Sequence, residues 1–523
     1  SRQQLMMGWV AFALIGYVTW RSFGVAMLAV YLGMAIYVLW GADEHWSRVA
    51  ENLWYSTDGV YGRPVEVVGR IVLVFIVFGA VLQTSGAGAI LLKLAFAATG
   101  RMAGGPAHAS VVGSALFGTM SGAAVANVVS TGVFTIPIIK KAGFKPRFAG
   151  AVEAAASTGG QIMPPVMGVV AFIMADVTNI PYLKIVVAAT LPAMMYYASL
   201  FMVVTIEARR LNIGATPHED REHLTPGDWA QSLAFFVPLA LIVLVLTTGR
   251  TAQNAGFFAL IAAFVMSFLL FPAFRNPRKW WDALVEAGRT AATLMVIVAA
   301  VGFVIGVINM TGVGLKLAQM ILSFSGTSLL FSLLLVMLGC LIMGMGVPSV
   351  TAYLILAIVM GPALEKLGVP TIAAHLFMLY FGVLSVVTPP VALAAFAAAP
   401  IAGAKPMETG FTALRLAIAG FIIPFLFVYH PDVLIINGFT IAGLFWAILI
   451  FAVSTWMIAT GLGRYQNDPI PLWNAGLRLI TGLVVLHPQF EISAAAAIIA
   501  VILTVHHWNS RQRGNTLREE HQQ

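Results

Sequence analysis

Long apolar runs broken by short polar stretches set the pattern of this chain. Runs at 5–20, 24–40, 66–84, 182–206, 233–249, 254–272 and 289–310 suit helices that cross a hydrocarbon core of about 30 Å. Three or four more follow, at 411–429, 436–459, 473–487 and 490–507. Between these runs lie apolar segments that a plain spanning helix does not explain. From Gly113 to Thr131 the chain carries Gly118, Thr119, Ser121 and Gly122 near the middle of the run. Glycine weakens a helix, and Ser or Thr hydroxyls divert backbone hydrogen bonds. At membrane depth such backbone survives only where protein buries it or a wet cavity meets it. The pattern predicts a re-entrant hairpin over 106–139 with its tip at Thr119–Ala123. A small-residue packing face is the other reading of this stretch alone.

A second copy favours the hairpin. Pro137 and Pro362, Gly143 and Gly368, Pro164 and Pro389, and Pro165 and Pro390 each stand 225 positions apart, with no gap. The same offset lays Ser121-Gly122 on Gly346-Val347, inside the glycine-rich break Met343–Ser349. A second hairpin is therefore expected over 327–361. Each copy continues into an interrupted helix. The first covers 148–174 and is broken at Ala156–Pro165; the second covers 371–399 and is broken at Leu384–Pro390. Short segments with Lys93 (88–99) and Lys316 (313–324) precede the hairpins and suit interfacial arms. Interrupted segments at matching places in two halves point to a secondary transporter's binding site.

Loop charge orients the copies. The loop at 207–230 carries Arg209, Arg210 and Arg221, and that at 273–289 carries Arg275, Arg278, Lys279 and Arg289. The connection on the opposite side carries Arg250 alone. The positive-inside rule makes the first two cytoplasmic. The basic loop Lys140–Arg147 falls on the same side, so the first hairpin is rooted in the cytoplasm. Five crossings separate the hairpins, so the second is rooted outside and the repeats are inverted. The last spans end in Arg511, Arg513 and Arg518, again inside, with a loose polar tail over 509–523. The stretch 42–65 mixes Asp43, Glu44 and Asp58 with Trp46, Trp54, Tyr55 and Tyr61, and reads as interfacial.

Composition agrees. The 523 residues are 60% hydrophobic and 10% charged, where soluble domains carry about 25% charge. The fold class is thus an all-α polytopic membrane protein with two re-entrant hairpins and two broken helices in inverted repeats. The single Cys340 allows no intrachain disulfide. The net charge of +8 needs no nucleic-acid partner, because cytoplasmic loops account for it. The expected units are 63–206 (first repeat), 207–288 (cytoplasmic loops and two scaffold spans), 289–430 (second repeat) and 431–508 (additional spans).

Half-helix N-termini favour an anion, and freed carbonyls and hydroxyls favour a small cation. The first-half candidates for substrate are Ser121, Gly122, Asn127, Ser157, Thr158, Gly159, Gly160 and Gln161. The second-half candidates are Pro348, Ser349, Thr351 and Thr388, with Gly344, Gly346 and Ser385 beside them. Asn127, Gln161 and Thr351 also fit plain interhelical bonding. Glu153 is the one acid inside an expected span, and an intramembrane acid is a functional candidate by default. It lies less than two turns from the cytoplasmic end, so a solvated or Lys-paired structural acid is the favoured reading. His375 is read as structural, with titration as the alternative. An intramembrane hydrolase is disfavoured, because Gly118-Thr-Met-Ser121-Gly122 has one residue too many for a Gly-x-Ser-Gly motif and His108 lies in the hairpin's own lead-in. No phosphate-binding Gly-x-x-x-x-Gly-Lys-Ser/Thr loop is present, so no ATP site is visible.

Ser121-Gly-Ala-Ala-Val-Ala-Asn127, Ser157-Thr-Gly-Gly-Gln-Ile-Met-Pro-Pro165 and Gly344-Met-Gly-Val-Pro-Ser349 together resemble one family. It is the membrane component of tripartite ATP-independent periplasmic (TRAP) transporters, and more narrowly the fused permeases that work with TAXI-type binding proteins. The resemblance covers about 60–430, with 1–62 similar to the end of a fused small subunit. It implies an elevator transporter in a bacterial inner membrane, not an enzyme. A periplasmic TAXI-type binding protein would deliver an organic acid anion, typically a carboxylate. Uptake would be coupled to sodium, with protons as the alternative and no cofactor. The sodium sites it implies fall at Thr119, Ser121, Ala123 and Ser157 in the first half, and at Gly344, Gly346, Ser349 and Ser385 in the second. Family members often carry a second serine where this chain has Ala123, which removes one hydroxyl from the first site. A stand-alone divalent-anion symporter of related fold is the other transport reading.

Overall fold

The computed structural model describes residues 2–520 apart from 43, 44, 58, 326, 327 and 437. Some side chains within those bounds, including Ser121 and those of 508–520, also lie outside the description. Asp43, Glu44 and Asp58 of the interfacial stretch and the expected start of the second hairpin at 327 therefore fall outside the described residues.

Among the described residues, nine helices are long and apolar enough to cross a membrane. Near the start, Arg2–Ile36 runs as helix through a break at Gly24, whose φ of 76° ends one segment and starts the next. The two segments fold back on each other. Tyr31 donates to the Phe12 carbonyl at 3.3 Å, and their rings stack at 4.8 Å. The interfacial helix Trp46–Trp54 follows, then the span Arg63–Ser85. Two spans begin earlier than the hydropathy suggests, because polar caps start helices that apolar runs then continue. Thr225 and Asp228 form a reciprocal capping box, so one span is Pro226–Thr247. Asn276 Oδ1 accepts from the Arg278 N–H at 3.0 Å and caps the next helix, and Pro277–Thr311 absorbs most of the basic segment expected as a loop at 273–289.

The first hairpin has arms Gly105–Ser121 and Ala124–Lys141 around Gly122-Ala123. The second has arms Leu329–Gly344 and Ser349–Lys366 around a break at 345–348. The first broken helix is Pro146–Gly159, a tight turn Gly160–Ile162, and Gly168–Thr178. The second is Thr371–Leu384, Ser385–Val387 and Leu393–Ala402. Adding the sequence offset to Ala124, Lys141, Pro146, Gly159, Gly160, Ile162 and Gly168 lands on Ser349, Lys366, Thr371, Leu384, Ser385, Val387 and Leu393, each an observed element boundary. Both Pro-Pro bonds are cis. The arms Ala87–Thr99 and Val313–Ser325 are 13 residues each, too short to cross at 1.5 Å per residue. Lys93 of the first arm pairs with Asp228 at 2.7 Å and ties it to the neighbouring span.

The halves interlock at the root of the first hairpin. Lys140 donates to the Ala402 carbonyl at 2.6 Å, and the glycine face of Gly150 lets Ala402 and Thr409 approach closely. Beyond residue 430 the chain adds Ile441–Gly463, a two-residue antiparallel ribbon (Tyr465–Gln466 with Asp468–Pro469), Leu472–Val484 and Phe490–Glu520. The segment expected at 473–487 is helical for only 13 residues, Leu472–Val484, and packs against part of Ile441–Gly463. A Cβ on Gly461 would meet the Ala475 carbonyl at 3.1 Å, while the Trp446 and Phe490 rings meet at 4.7 Å. The last helix then returns, so that Gln466 reaches the Thr504 carbonyl at 3.4 Å. It continues to Glu520 where a loose tail was expected.

Candidate substrate and ion site

The hairpin tip and the first broken helix meet through glycine. Gly122 turns at φ 61° and Gly168 at φ 65°, and a Cβ on Gly122 would lie 2.9 Å from Gly168 Cα. Only bare backbone allows that approach. The contact brings two helix starts close together, at Ala124 and Gly168, and the first N–H groups of a helix have no partner within it. A cavity of about 580 Å³ opens against them. Gly122, Ala123, Gly168, Gln83, Thr290 and one acid, Glu286, are among the residues that line it. No Lys or Arg is among its lining residues.

One turn deeper, Gly118 packs directly on Gly160, and a Cβ on Gly160 would lie 2.5 Å from Gly118 Cα. The second half makes the same crossing differently. Ser385, the counterpart of Gly160, donates to the carbonyls of Gly344 at 2.9 Å and Gly382 at 2.7 Å. Gly346 turns at φ 75°, and Pro348 is extended ahead of Ser349, the first helical residue of the second arm.

The other expected site residues divide by what their polar atoms do. Gln161 Oε1 and Thr351 Oγ1 are buried and have no hydrogen-bond partner among the described residues. Buried polar atoms are normally paired, so both suit a ligand. Thr158 and Thr388 bond back to Ala154 and Leu384 of their own helices, and Thr119 to Leu116. Gly159 lets Tyr196 and Tyr197 pack closely against the helix, and their hydroxyls donate to the Ala155 and Ala156 carbonyls at 2.9 Å. Asn127 Nδ2 donates to the Ser114 carbonyl at 2.9 Å, bracing the two hairpin arms. The Ser121 side chain lies outside the described residues. His375 pairs with the Tyr353 hydroxyl at 2.8 Å. His108 bonds within its own arm, to Gly104, and across to Phe201 and Thr205.

Glu153 corrects the sequence reading. It is fully buried and, among the described residues, pairs with no Lys; five hydroxyls donate to its carboxylate. Ser110 at 2.6 Å and Thr135 at 2.5 Å reach Oε2. Ser114 at 2.6 Å, Ser157 at 3.0 Å and Thr131 reach Oε1. Distance from the helix end misled, because both hairpin arms wrap that end. Gly132 makes room for the glutamate stem: a Cβ there would lie 3.1 Å from Glu153 Cγ. Apart from Ser157, none of these hydroxyls was read as functional. Their signal is periodic: Ser110 and Ser114, Asn127, Thr131 and Thr135, and Glu153 and Ser157 each recur every fourth residue on an otherwise apolar helix.

Two repeated hairpins, each seated in a broken helix and grouped around glycine contacts, define a membrane transport unit. Residues 7–442 match the family described as tripartite ATP-independent periplasmic transporter, DctM component, and the chain belongs to that family. It is similar to the C4-dicarboxylate TRAP transporter large permease protein DctM of Pseudomonas aeruginosa, 27% identical over 68% of this chain and 81% of that one. The corresponding Vibrio cholerae protein is 28% identical over 36% of this chain and 41% of its own length. The sialic acid TRAP transporter permease protein SiaT of Haemophilus influenzae is 22% identical over 78% of this chain and 66% of its own. A solved structure, the Alcanivorax borkumensis YdaH transporter, has a TM-score of 0.47 at 19% identity, covering 69% of this chain and 84% of that one. These relatives are transporters, and the chain is a transport subunit rather than an enzyme.

Proposed function

We propose that this chain imports a small organic acid anion across a bacterial inner membrane, taking it from a periplasmic binding protein of the TAXI type. The observation that carries this reading is the pair of helix N-termini held together by Gly122 and Gly168 at a cavity with no cationic side chain. An anion there would be held by backbone N–H groups and helix dipoles. Gln161 and Thr351, whose side-chain oxygens have no partner among the described residues, do not line that cavity and would offer polar contacts only to a ligand that reaches beyond it. The names of the relatives, for C4-dicarboxylate, sialic acid and isethionate, agree with an acidic cargo.

Coupling in this reading is to sodium. The moving part in an elevator cycle would be the two hairpins with the two broken helices, carried against the long spans. The cytoplasmic side would hold Arg209, Arg210 and the C-terminal segment, which the geometry brings together: Tyr465 donates to the Arg209 carbonyl, and Thr504 lies beside Gln466. The test is uptake by the purified chain in proteoliposomes under an imposed sodium gradient, with and without the binding protein on the outer face. Accumulation is expected only with the protein present. Equal uptake without it would favour the stand-alone symporter, and full uptake driven by a pH gradient with no sodium on either side would end the sodium reading.

A further inference from the structure

The Glu153 carboxylate poses a charge problem that the hairpin tips do not solve. It is buried among helices that lie within the bilayer, and among the described residues no Lys, Arg or His pairs with it. A buried unpaired charge is costly, even when hydrogen bonds saturate it. A carboxylate has about four lone-pair sites, so five hydroxyl donors already exceed its capacity. Hydrogen bonding is complete, and among the described residues no cationic side chain stands beside the carboxyl.

The fold does not require this acid. In the second repeat the counterparts of Glu153, Ser114, Thr131 and Ser157 are Met378, Gly339, Leu356 and Gly382. At these positions that half carries no hydroxyl or carboxyl side chain, and Met378 and Leu356 are fully buried. A purely structural role would therefore be better served by apolar residues.

The oxygens are also gathered around one point. Oε1 of Glu153 has the hydroxyls of Ser114, Thr131 and Ser157 against it. Thr131 Oγ1 in turn lies 3.2 Å from Ser114 Oγ and 2.8 Å from the Asn127 carbonyl. Five oxygens of three helices are thus linked by hydrogen-bond contacts that centre on Oε1, so a cation enters among them by taking the place of the hydroxyl protons. A proton would need only the carboxylate, whereas a hard cation wants several oxygens.

We propose that Glu153 Oε1, Ser114, Thr131, Ser157 and the Asn127 carbonyl form a sodium site inside the root of the first hairpin, apart from the tip. Rotation of the three hydroxyls turns their O–H groups away from the carboxylate and their lone pairs toward the ion. The ion neutralises the charge and ties both hairpin arms to the first broken helix. The site rests on the sodium-coupled reading above, and it makes the missing hydroxyl at Ala123 tolerable, since coupling need not depend on the tip.

The test measures sodium binding directly, without transport. Purified chain in detergent is unfolded thermally while sodium chloride replaces choline chloride at constant ionic strength. Sodium should raise the wild-type midpoint. Glu153→Gln, which keeps size and removes charge, should fold in choline and lose the sodium response. Thr131→Val and Ser157→Ala, which keep the charge, should raise the half-saturating sodium concentration about 10-fold or more. Thr135→Val, on the Oε2 side, should lower the midpoint equally in both salts and leave that concentration unchanged. A mere brace would behave like Thr135 at every position. A Glu153→Gln chain that responds to sodium as wild type does, or Thr131→Val and Ser157→Ala chains with wild-type sodium affinity, would overturn the site while leaving sodium coupling intact. A wild-type chain indifferent to sodium would overturn both.

Discussion

The two halves of this chain share one architecture and differ at its centre. In the first, the hairpin root encloses a carboxylate and five hydroxyls, while its glycines Gly118 and Gly160 touch with no side chain between them. In the second, the same places hold Met378, Leu335, Gly339, Leu356, Met360 and Gly382, and the matching crossing is sealed by Ser385. Between Ala124 and Gly168 the offset of 225 reproduces seven element boundaries to the residue. Backbone plan is therefore set by the shared glycines and prolines, and chemistry by the residues between them. A fold that tolerates either filling leaves the polar one open to a use beyond holding the fold.

The strongest way to break the comparison is to move the charge. Met378→Glu places a carboxylate where no hydroxyl counterpart exists, and should cost about 3–5 kcal/mol, the penalty of an uncompensated buried charge. Thermal unfolding of the purified protein, or its failure to accumulate in membranes, reads this out. A chain with near wild-type stability would mean that the second half has a hidden polar lining. Exchanging the crossing residues should have a smaller effect. Gly160→Ser brings a side chain against Gly118 backbone and should cost about 1–3 kcal/mol through overpacking. The reverse change, Ser385→Gly, loses a pair of neutral hydrogen bonds made by one hydroxyl and should cost about 0.5–1.5 kcal/mol. If Ser385→Gly proved the more damaging, the close approach of Gly160 would not be what fixes the first hairpin.

Much of the plan was legible in the residues. Gly122, Gly346 and the two Pro-Pro pairs announced the hairpin tips and the broken helices, because their backbone effects are local. The capped starts at Thr225 and Asn276 were missed for the opposite reason: a cap lies outside the apolar run that it begins. The carboxylate cage was missed because its members come from three helices, and each alone looks like a polar residue tolerated in a span. Only the recurrence of polar residues every fourth position hinted that Ser110, Ser114, Thr131 and Thr135 share a face with Glu153. The role of Glu153 was misjudged by measuring its depth along one helix, when the neighbouring hairpin decides what reaches it.

The central claim is that the two copies are inserted with opposite polarity, so that one site is assembled from both. Lys141 and Lys366 test it most directly. They end the second arm of each hairpin, stand at equivalent positions, and are both exposed. Cys340 is buried, and its replacement by alanine gives a silent background. Single cysteines at positions 141 and 366 are then treated with a membrane-impermeant maleimide on intact cells and on inverted vesicles. The account predicts that Lys141→Cys reacts only from the cytoplasmic face and Lys366→Cys only from the periplasmic face. Labelling of both from the same face would contradict it.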